Sequence, residues 1–467
     1  MTDRPHLAVI GAGPAGLAAT LTAAAHGVRV TLIDSAADAG GQFYRQPARE
    51  LRARRPQALH HQWRTWEGLQ EGLRGHVRAG LVRHVTDHHI WFVERLDESF
   101  AVHALLGPEQ EDPATVRADA VLLATGGYEQ VLPFPGWTLP GVVTAGGAQA
   151  MLKGTLAVPG RVAVVAGTGP LLLPVATGLA DAGVEVVALV ESADPRAFVR
   201  RPRALAAQPG KLAEGALYAG QLLRRRVRPL FRHAVIEAHG TDRVEGVTVA
   251  ALDATGHVRP GTARRIACDT LAVSHGLLPH TDLADSLGCR LDGNNVHVDH
   301  EQRTDVPGVW AAGEATGVGG SALALVEGRI AGASAAARMT GTEPALDAAA
   351  LKSRRKLRQF AAALDDVYRP PARWTDQVTD DTVVCRCEEV TAGAVREAVG
   401  DLGAGDPRTV KLLTRAGMGW CQGRMCGPAV AGLAGCEHTP PRRPFARPVP
   451  LGVLASEPDH PTEEGPS

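Results

Sequence analysis

Apolar positions in this chain come as short unbroken runs that alternate with stretches of helical period. The opening "HLAVIGAGPAGLAATLTAAAHGVRVTLIDS" reads as a strand ending at Ile10, a glycine-spaced turn, an Ala/Leu-rich helix and a strand ending at Asp34. The unit returns as "VAVVAGTGPLLLPVATGLADAGVEVVALVES" at an offset of 156 residues, Gly167 on Gly11 and Gly169 on Gly13, with Glu191 closing its second strand. Runs without polar alternation belong to strands buried on both faces, so the pattern predicts parallel sheets covered by helices. "ADAVLLATGGYEQ" reads as a buried strand over 121–124, and "LAVSHGLLPH" and "GVWAAGEATGVGG" as further strand–turn units, the last leading into an Ala-rich helix. Residues 162–180 carry no charge, but "GTGP" and Pro174 interrupt them, so they read as strand, turn and helix and not as a membrane span. Residues 346–377 read as a basic amphipathic helix followed by a Pro-containing linker, the charge run forming a solvated face. Such a helix also allows peripheral contact with a membrane surface. The end of the chain is Pro-rich and then acidic, and is expected to be extended or disordered.

Gly11, Gly13 and Gly16, with Pro14 and Ala15 between them, form G-x-G-x-x-G between a strand and a helix. Gly11 serves the tight turn, Gly13 the approach of a pyrophosphate, and Gly16 the close packing of helix on strand. The helix N-terminus offers N–H groups to the phosphates. Asp34, followed by Ser35, stands where a carboxylate meets ribose hydroxyls. Ala124, Thr125 and Gly126 form a small-residue turn at a strand end. Gly313 and Glu314 put a backbone N–H and a carboxylate before a helix N-terminus, which suits the ribityl and pyrophosphate groups of FAD. In the second unit Leu172 replaces the third glycine and should push the helix off the strand, which opposes NAD(P) binding; Glu191 favours it. Whether that unit takes a nucleotide stays open at this point.

Five of the seven cysteines lie in the last hundred residues, four of them as Cys385-x-Cys387 and Cys421-x4-Cys426. Zinc and a [2Fe–2S] cluster both accept four thiolates; the tight C-x-C spacing favours the cluster. Between the pairs, two short helices are expected around a Gly/Asp/Pro turn, with Thr391 as N-cap and Val395, Val399 and Leu402 on one face. Cys436 falls outside the spacing and reads as a small buried hydrophobe, and Cys268 and Cys289 stand alone.

The 49 basic and 50 acidic residues leave no basic excess, which excludes a nucleic-acid partner. The N-terminus lacks the n-region and h-region of a secretory signal, so the expected compartment is the reducing cytoplasm, where cysteines serve metals and redox chemistry.

The order G-x-G-x-x-G, A-T-G, second G-x-G and A-A-G-E resembles the two-dinucleotide-domain flavoproteins of disulfide-reductase type, without their redox dithiol. "AGGQFYRQ" resembles the loop beside the flavin in that family, which implicates Gly41 and Gln42. The cysteine segment resembles the bacterioferritin-associated-ferredoxin type of [2Fe–2S] domain. Together with "PFPGWTLPGV", "GTGPLLL" and "TRAGMGWCQGRMCGP", the chain resembles the large flavoprotein subunit of heteromeric amine dehydrogenases, the group of opine oxidases, hydrogen cyanide synthase and proline or hydroxyproline dehydrogenases. The resemblance implies an α/β fold with two Rossmann-like dinucleotide-binding domains, the FAD domain split by the second, plus a small helical [2Fe–2S] domain. The corresponding divisions are 1–155 and 271–345 for the FAD domain, 156–270 for the second, NAD(P)-type unit, 346–377 for a helical linker, 378–440 for the cluster domain and 441–467 for a Pro-rich tail. It implies FAD and a [2Fe–2S] cluster as cofactors and C–N oxidation of an amino acid or opine as the reaction. It further implies a separate amino-acid-oxidase-like flavoprotein subunit holding the substrate and a small ferredoxin-like subunit beside it; the Pro-rich tail, pre-stiffened by proline, is expected to lie along such a partner. A stand-alone NAD(P)H-dependent flavin reductase is the alternative. No catalytic base stands out: His275 and His280 read as polar loop histidines.

Overall fold

Two parallel sheets organise the chain. In the first, the strands run in the order Val309–Ala311, Ala120–Leu123, His6–Ile10, Arg29–Ile33, Val82–Val85, all neighbours parallel. In the second, the order is Arg228–Phe231, Glu185–Glu191, Val162–Gly167, Thr270–Ser274, Val142–Thr144, again parallel. The strand at 309 rejoins the first sheet after the chain has built the second, so the first domain is split by the second. The computed structural model describes residues 4–455 apart from 61, 108, 201, 203–207, 441 and 442.

The unbroken apolar runs are the reason these strands are central: Leu7, Val9, Val30, Leu32 and Leu122 are all fully buried. Over this sheet the helix Pro14–Ala25 packs on Gly320–Met339. Their alanine content is a packing requirement. A Cβ at Gly328 would stand 2.1 Å from the Ala15 carbonyl oxygen and one at Gly332 2.4 Å from that of Ala19, so the helices meet backbone to backbone. The uncharged stretch beginning at 162 forms the strand Val162–Gly167 and the helix Leu172–Asp181. Among the described residues no helix is long and apolar enough to cross a membrane.

Three expectations are corrected. The charge run in the helix Ala348–Val367 is a solvated face only in part: Lys352, Arg355 and Lys356 are exposed, whereas Arg354 and Arg358 turn inward to the fully buried Glu327. The Pro-rich segment docks on its own chain within the described residues, which end at 455. Phe445 meets Trp91 and Phe92 edge-on, and the Ala446 N–H donates to the Trp91 carbonyl. Its residues 443–446 are therefore not free to lie along a partner; residues 456–467 lie outside the described part. Leu402 is exposed, because the helix Ala392–Gly400 ends before it, whereas Val395 is buried, Val399 is half-buried and Thr391 caps the helix as its sequence position requires.

Candidate cofactor sites

At the first turn the backbone is packed as closely as it can be. Gly11 has φ +104°, and a Cβ there would stand 2.3 Å from the Ala124 carbonyl oxygen; at Gly16 it would stand 1.8 Å from that of Gly11. The helix begins at Pro14, with Gly13 as N-cap, no side-chain cap and no acid in its first turn. Its first N–H groups and its positive dipole end are thus left for an anion, and the cradle fits a pyrophosphate. Ala15 is buried beneath Gly313. The Asp34 carboxylate accepts the N–H groups of Ala12 and Ala36, tying the second strand's end to the turn, with Ser35 exposed beside it. Gly40 donates to the Ala12 carbonyl at 2.8 Å and Gly41 lies against Gly13, so this loop closes over the turn. Gln42 is exposed, its side-chain oxygen held by Arg45. Thr125 donates to the His280 carbonyl at 2.5 Å, and Gly126 continues the turn with φ +74°. The Gly313 N–H, offered to a ligand by the sequence pattern, is taken by Glu327 at 3.2 Å. Burial raises the Glu314 pKa; a hydrogen bond from the Gly320 N–H and the charge of Arg358 oppose the rise.

The second unit differs where Leu172 stands. Its helix starts at Leu172, two residues later than the first unit's helix, which starts at the position of Pro170. The buried Leu172 side chain claims the space beside the strand. The N–H of Gly169, in the phosphate turn, donates to Glu191, whose other oxygen accepts from Ala193. Burial pushes the Glu191 pKa up to about 7. The carboxylate thus serves the turn itself, as Asp34 does in the first unit.

The four cysteines converge from two loops. Cys385 is in hydrogen-bond contact with Cys426 and Cys387 with Cys421, and the pairs feel each other's charge. A Cβ on Gly419 would stand 2.1 Å from that of Cys387, so the loops close only because this position is bare. Among the described residues no group of three or more His, Cys, Asp or Glu is placed to hold a single metal ion. The donor set is two thiol pairs, which suits the two irons of a [2Fe–2S] cluster by count and chemistry better than one zinc. Cys385 and Cys426 are buried, Cys421 is half-buried and Cys387 is exposed. Cys436 is half-buried, not a core residue, and donates to the Gly405 carbonyl.

The cluster loops dock on the flavoprotein body through their own arginines. Arg386, between Cys385 and Cys387, lies 5.4 Å from the Trp137 ring centre, and Arg424, between Cys421 and Cys426, pairs with Asp282 at 2.9 Å. His275 lies half-buried in the loop between the strands Thr270–Ser274 and Leu277–Pro279; its Nδ1 accepts the Leu132 N–H, and burial lowers its pKa to about 4.

The sequence pattern of the pyridine nucleotide-disulphide oxidoreductase family matches residues 5–340. The chain belongs to this family. A BFD-like [2Fe-2S] binding domain matches residues 383–434. The chain is therefore a flavin oxidoreductase of the pyridine nucleotide-disulphide type with a [2Fe–2S] domain. It is 33% identical to an opine oxidase subunit of Agrobacterium tumefaciens over 450 residues, 94% of this chain and 87% of that one. It is 33% identical to hydrogen cyanide synthase subunit HcnB of Pseudomonas aeruginosa over 436 residues, 90% of each. Among solved structures, L-proline dehydrogenase from P. horikoshii shares the fold, with TM-score 0.66 and 20% identity over 98% of this chain and 81% of that one.

Several residues that shape these sites carry no motif. Glu327 is a lone acid inside an apolar helix, and that isolation is the signal that could have marked it. Lys153 is buried, donates to the Phe43 carbonyl at 2.9 Å beside the Gly41–Gln42 loop, and has its pKa lowered to about 8 by burial and by Arg45. Asp282 is found only through its distant partners.

Proposed function

We propose that this chain is the electron-relaying flavoprotein subunit of a heteromeric enzyme that oxidises the C–N bond of an amino acid or opine. FAD would be held by Gly11, Gly13, Pro14, Ala15, Gly16, Asp34, Ser35, Gly41, Gln42, Ala124, Thr125, Gly126, Gly313 and Glu314, and the cluster by Cys385, Cys387, Cys421 and Cys426. Bound there, FAD takes an electron pair and a [2Fe–2S] cluster passes electrons singly. The observation that carries the reading is the junction itself: the Thr125 turn bonds to His280, His280 meets Asp282, and Asp282 holds the Cys421–Cys426 loop. The relatives that match over nearly the whole length are named as subunits of opine oxidase and hydrogen cyanide synthase, which supports a partner subunit. An amino-acid-oxidase-like flavoprotein is the partner proposed, with the substrate site on it or at the interface, and a small ferredoxin-like chain beside it. The chain's own residues order the cofactors and exclude water; none is assigned proton abstraction. The test is expression of the chain alone and with such a partner, offering opines, glycine, proline and hydroxyproline with a dye acceptor. Turnover by the complex only is expected. Equal turnover by the isolated chain would place the substrate site here and refute the relay.

A further inference from the structure

We propose that Asp282 is a positioning residue for the cluster: it fixes the Cys421–Cys426 loop against the flavin domain and balances the two arginines that surround that loop. The inference rests on the assignment of the four cysteines to a [2Fe–2S] cluster.

Asp282 opens the short helix Asp282–Ser286, and its side chain is 13% exposed. Its carboxylate accepts Arg424 Nε at 3.0 Å and lies 2.9 Å from Arg424 Nη2, 3.4 Å from Arg443 Nη1 and 3.0 Å from His280 Nε2. Both arginines also grip the ligand loop. The Arg424 N–H and Nη1 donate to the Cys421 carbonyl at 3.2 and 3.3 Å, and Arg443 donates to the Gln422 carbonyl. One carboxylate of the flavin domain therefore holds two cations, each of which holds the loop. Tyr128 stands edge-on to His280 at 6.1 Å, and the Arg424–Asp282 ion pair joins the two domains by direct contact.

This arrangement has an electrical consequence. Two arginines against one carboxylate leave a net positive charge beside Cys421. Reduction of a cluster adds one negative charge, and nearby charges and hydrogen bonds around the ligands are the protein's levers on the potential. The arginines favour the reduced form and Asp282 opposes it. In a half-buried site these charges are weakly screened. Loss of the Asp282 charge must then raise the cluster potential, and loss of the Arg424 charge must lower it.

The test is EPR-monitored redox titration of the full-length holoprotein, prepared anaerobically, as wild type, D282N, D282E and R424Q. D282N is expected to shift the reduced-to-oxidised ratio at fixed potential by about tenfold toward reduced, which is about 59 mV for one electron. R424Q is expected to shift it by a similar factor toward oxidised, and D282E to stay near wild type. A residue that merely stabilised the fold would move both variants in one direction. Loss of iron from D282N with retention in D282E also supports the positioning role. Retained iron with unshifted potentials, or shifts of the same sign in D282N and R424Q, overturns the inference. Wild-type protein without iron or a reduced-state EPR signal would instead refute the cluster assignment itself, a distinct result.

Discussion

Replacing Glu327 by alanine should loosen the flavin site from a position that touches no cofactor residue through its own backbone. The Glu327 side chain has no exposed surface, whereas Arg354 and Arg358 keep 21% and 25%. The carboxylate accepts the Gly313 N–H at 3.2 Å, the Thr316 hydroxyl at 3.1 Å, Arg354 Nε at 3.1 Å, and Arg358 Nε and Nη2 each at 2.8 Å. Arg358 goes on to the Gly317 carbonyl and the Thr316 hydroxyl. One acid thus joins the Gly313–Glu314 turn to the helix that leads to the cluster domain.

Removing one partner of a buried ion pair costs about 3–5 kcal/mol because the other charge is left behind. The partial exposure of both arginines puts the E327A cost toward the lower end, and the orphaned Gly313 N–H adds about 1 kcal/mol. The expected total is about 4 kcal/mol. E327Q keeps an acceptor and loses only the charge, for about 2 kcal/mol. A chain of several domains has no single unfolding free energy, so the quantity to follow is the urea midpoint of flavin release, read by fluorescence. With a slope of about 3 kcal/mol/M, E327A should lower it by about 1.3 M and E327Q by about half that. The triple variant E327M/R354M/R358M, which removes all the charges together, should recover much of the loss. An E327A midpoint within about 0.3 M of wild type would refute the reasoning.

Cys421→Ser should lose iron and keep most of the FAD, because Cys421 and the Gly11 turn belong to separate folding units; metal and flavin assays on the same preparation check this. Mixing with NADH should not bleach the flavin within milliseconds, since Leu172 displaces the second unit's helix start and Glu191 consumes the Gly169 N–H; fast stopped-flow bleaching would revive the stand-alone reductase. His275 should make stability pH-dependent. Its folded pKa of about 4 lies below the ordinary value, so its contribution is present above about pH 6.5 and is lost as pH falls toward 4. The difference in the urea midpoint of flavin release between wild type and H275Q should shrink over that range by up to about 1 M, the equivalent of about 3 kcal/mol at the same slope, and a flat difference would show that the ring is not held neutral.

What the sequence made legible is what local sterics dictate. The spacing of Gly11 and Gly16 encodes a turn because any side chain at either would collide with a carbonyl oxygen. The apolar runs encode parallel strands because both faces of each are covered. Thr391 encodes a helix start because its hydroxyl is the nearest acceptor for the Ala394 N–H. Charge carries no such local rule. The amphipathic pattern of Ala348–Val367 shows that one face is polar but not what opposes it, and the opposing acid lies 27 and 31 residues away. Phe445 sits in a Pro-rich stretch expected to be extended or disordered, yet it docks by one ring, with Trp91 and Phe92 as the seat, and Leu451–Ala455 further along form a short helix.

The same limit explains why the junction between the cofactor domains was invisible in one dimension. Asp282 and Arg424 are 142 residues apart, and neither is unusual in its own neighbourhood. What makes them a site is that each cysteine pair carries an arginine between its ligands and each arginine meets a partner on the flavoprotein body, Trp137 for Arg386 and Asp282 for Arg424. A cluster held by loops alone would be free to drift relative to the flavin half-site. The two arginines bind the loops to that body at two points, so the separation between the half-sites is set by packing and charge and not by the length of the linker. An electron relay depends on that fixed separation, and here it is built from residues that ligate nothing.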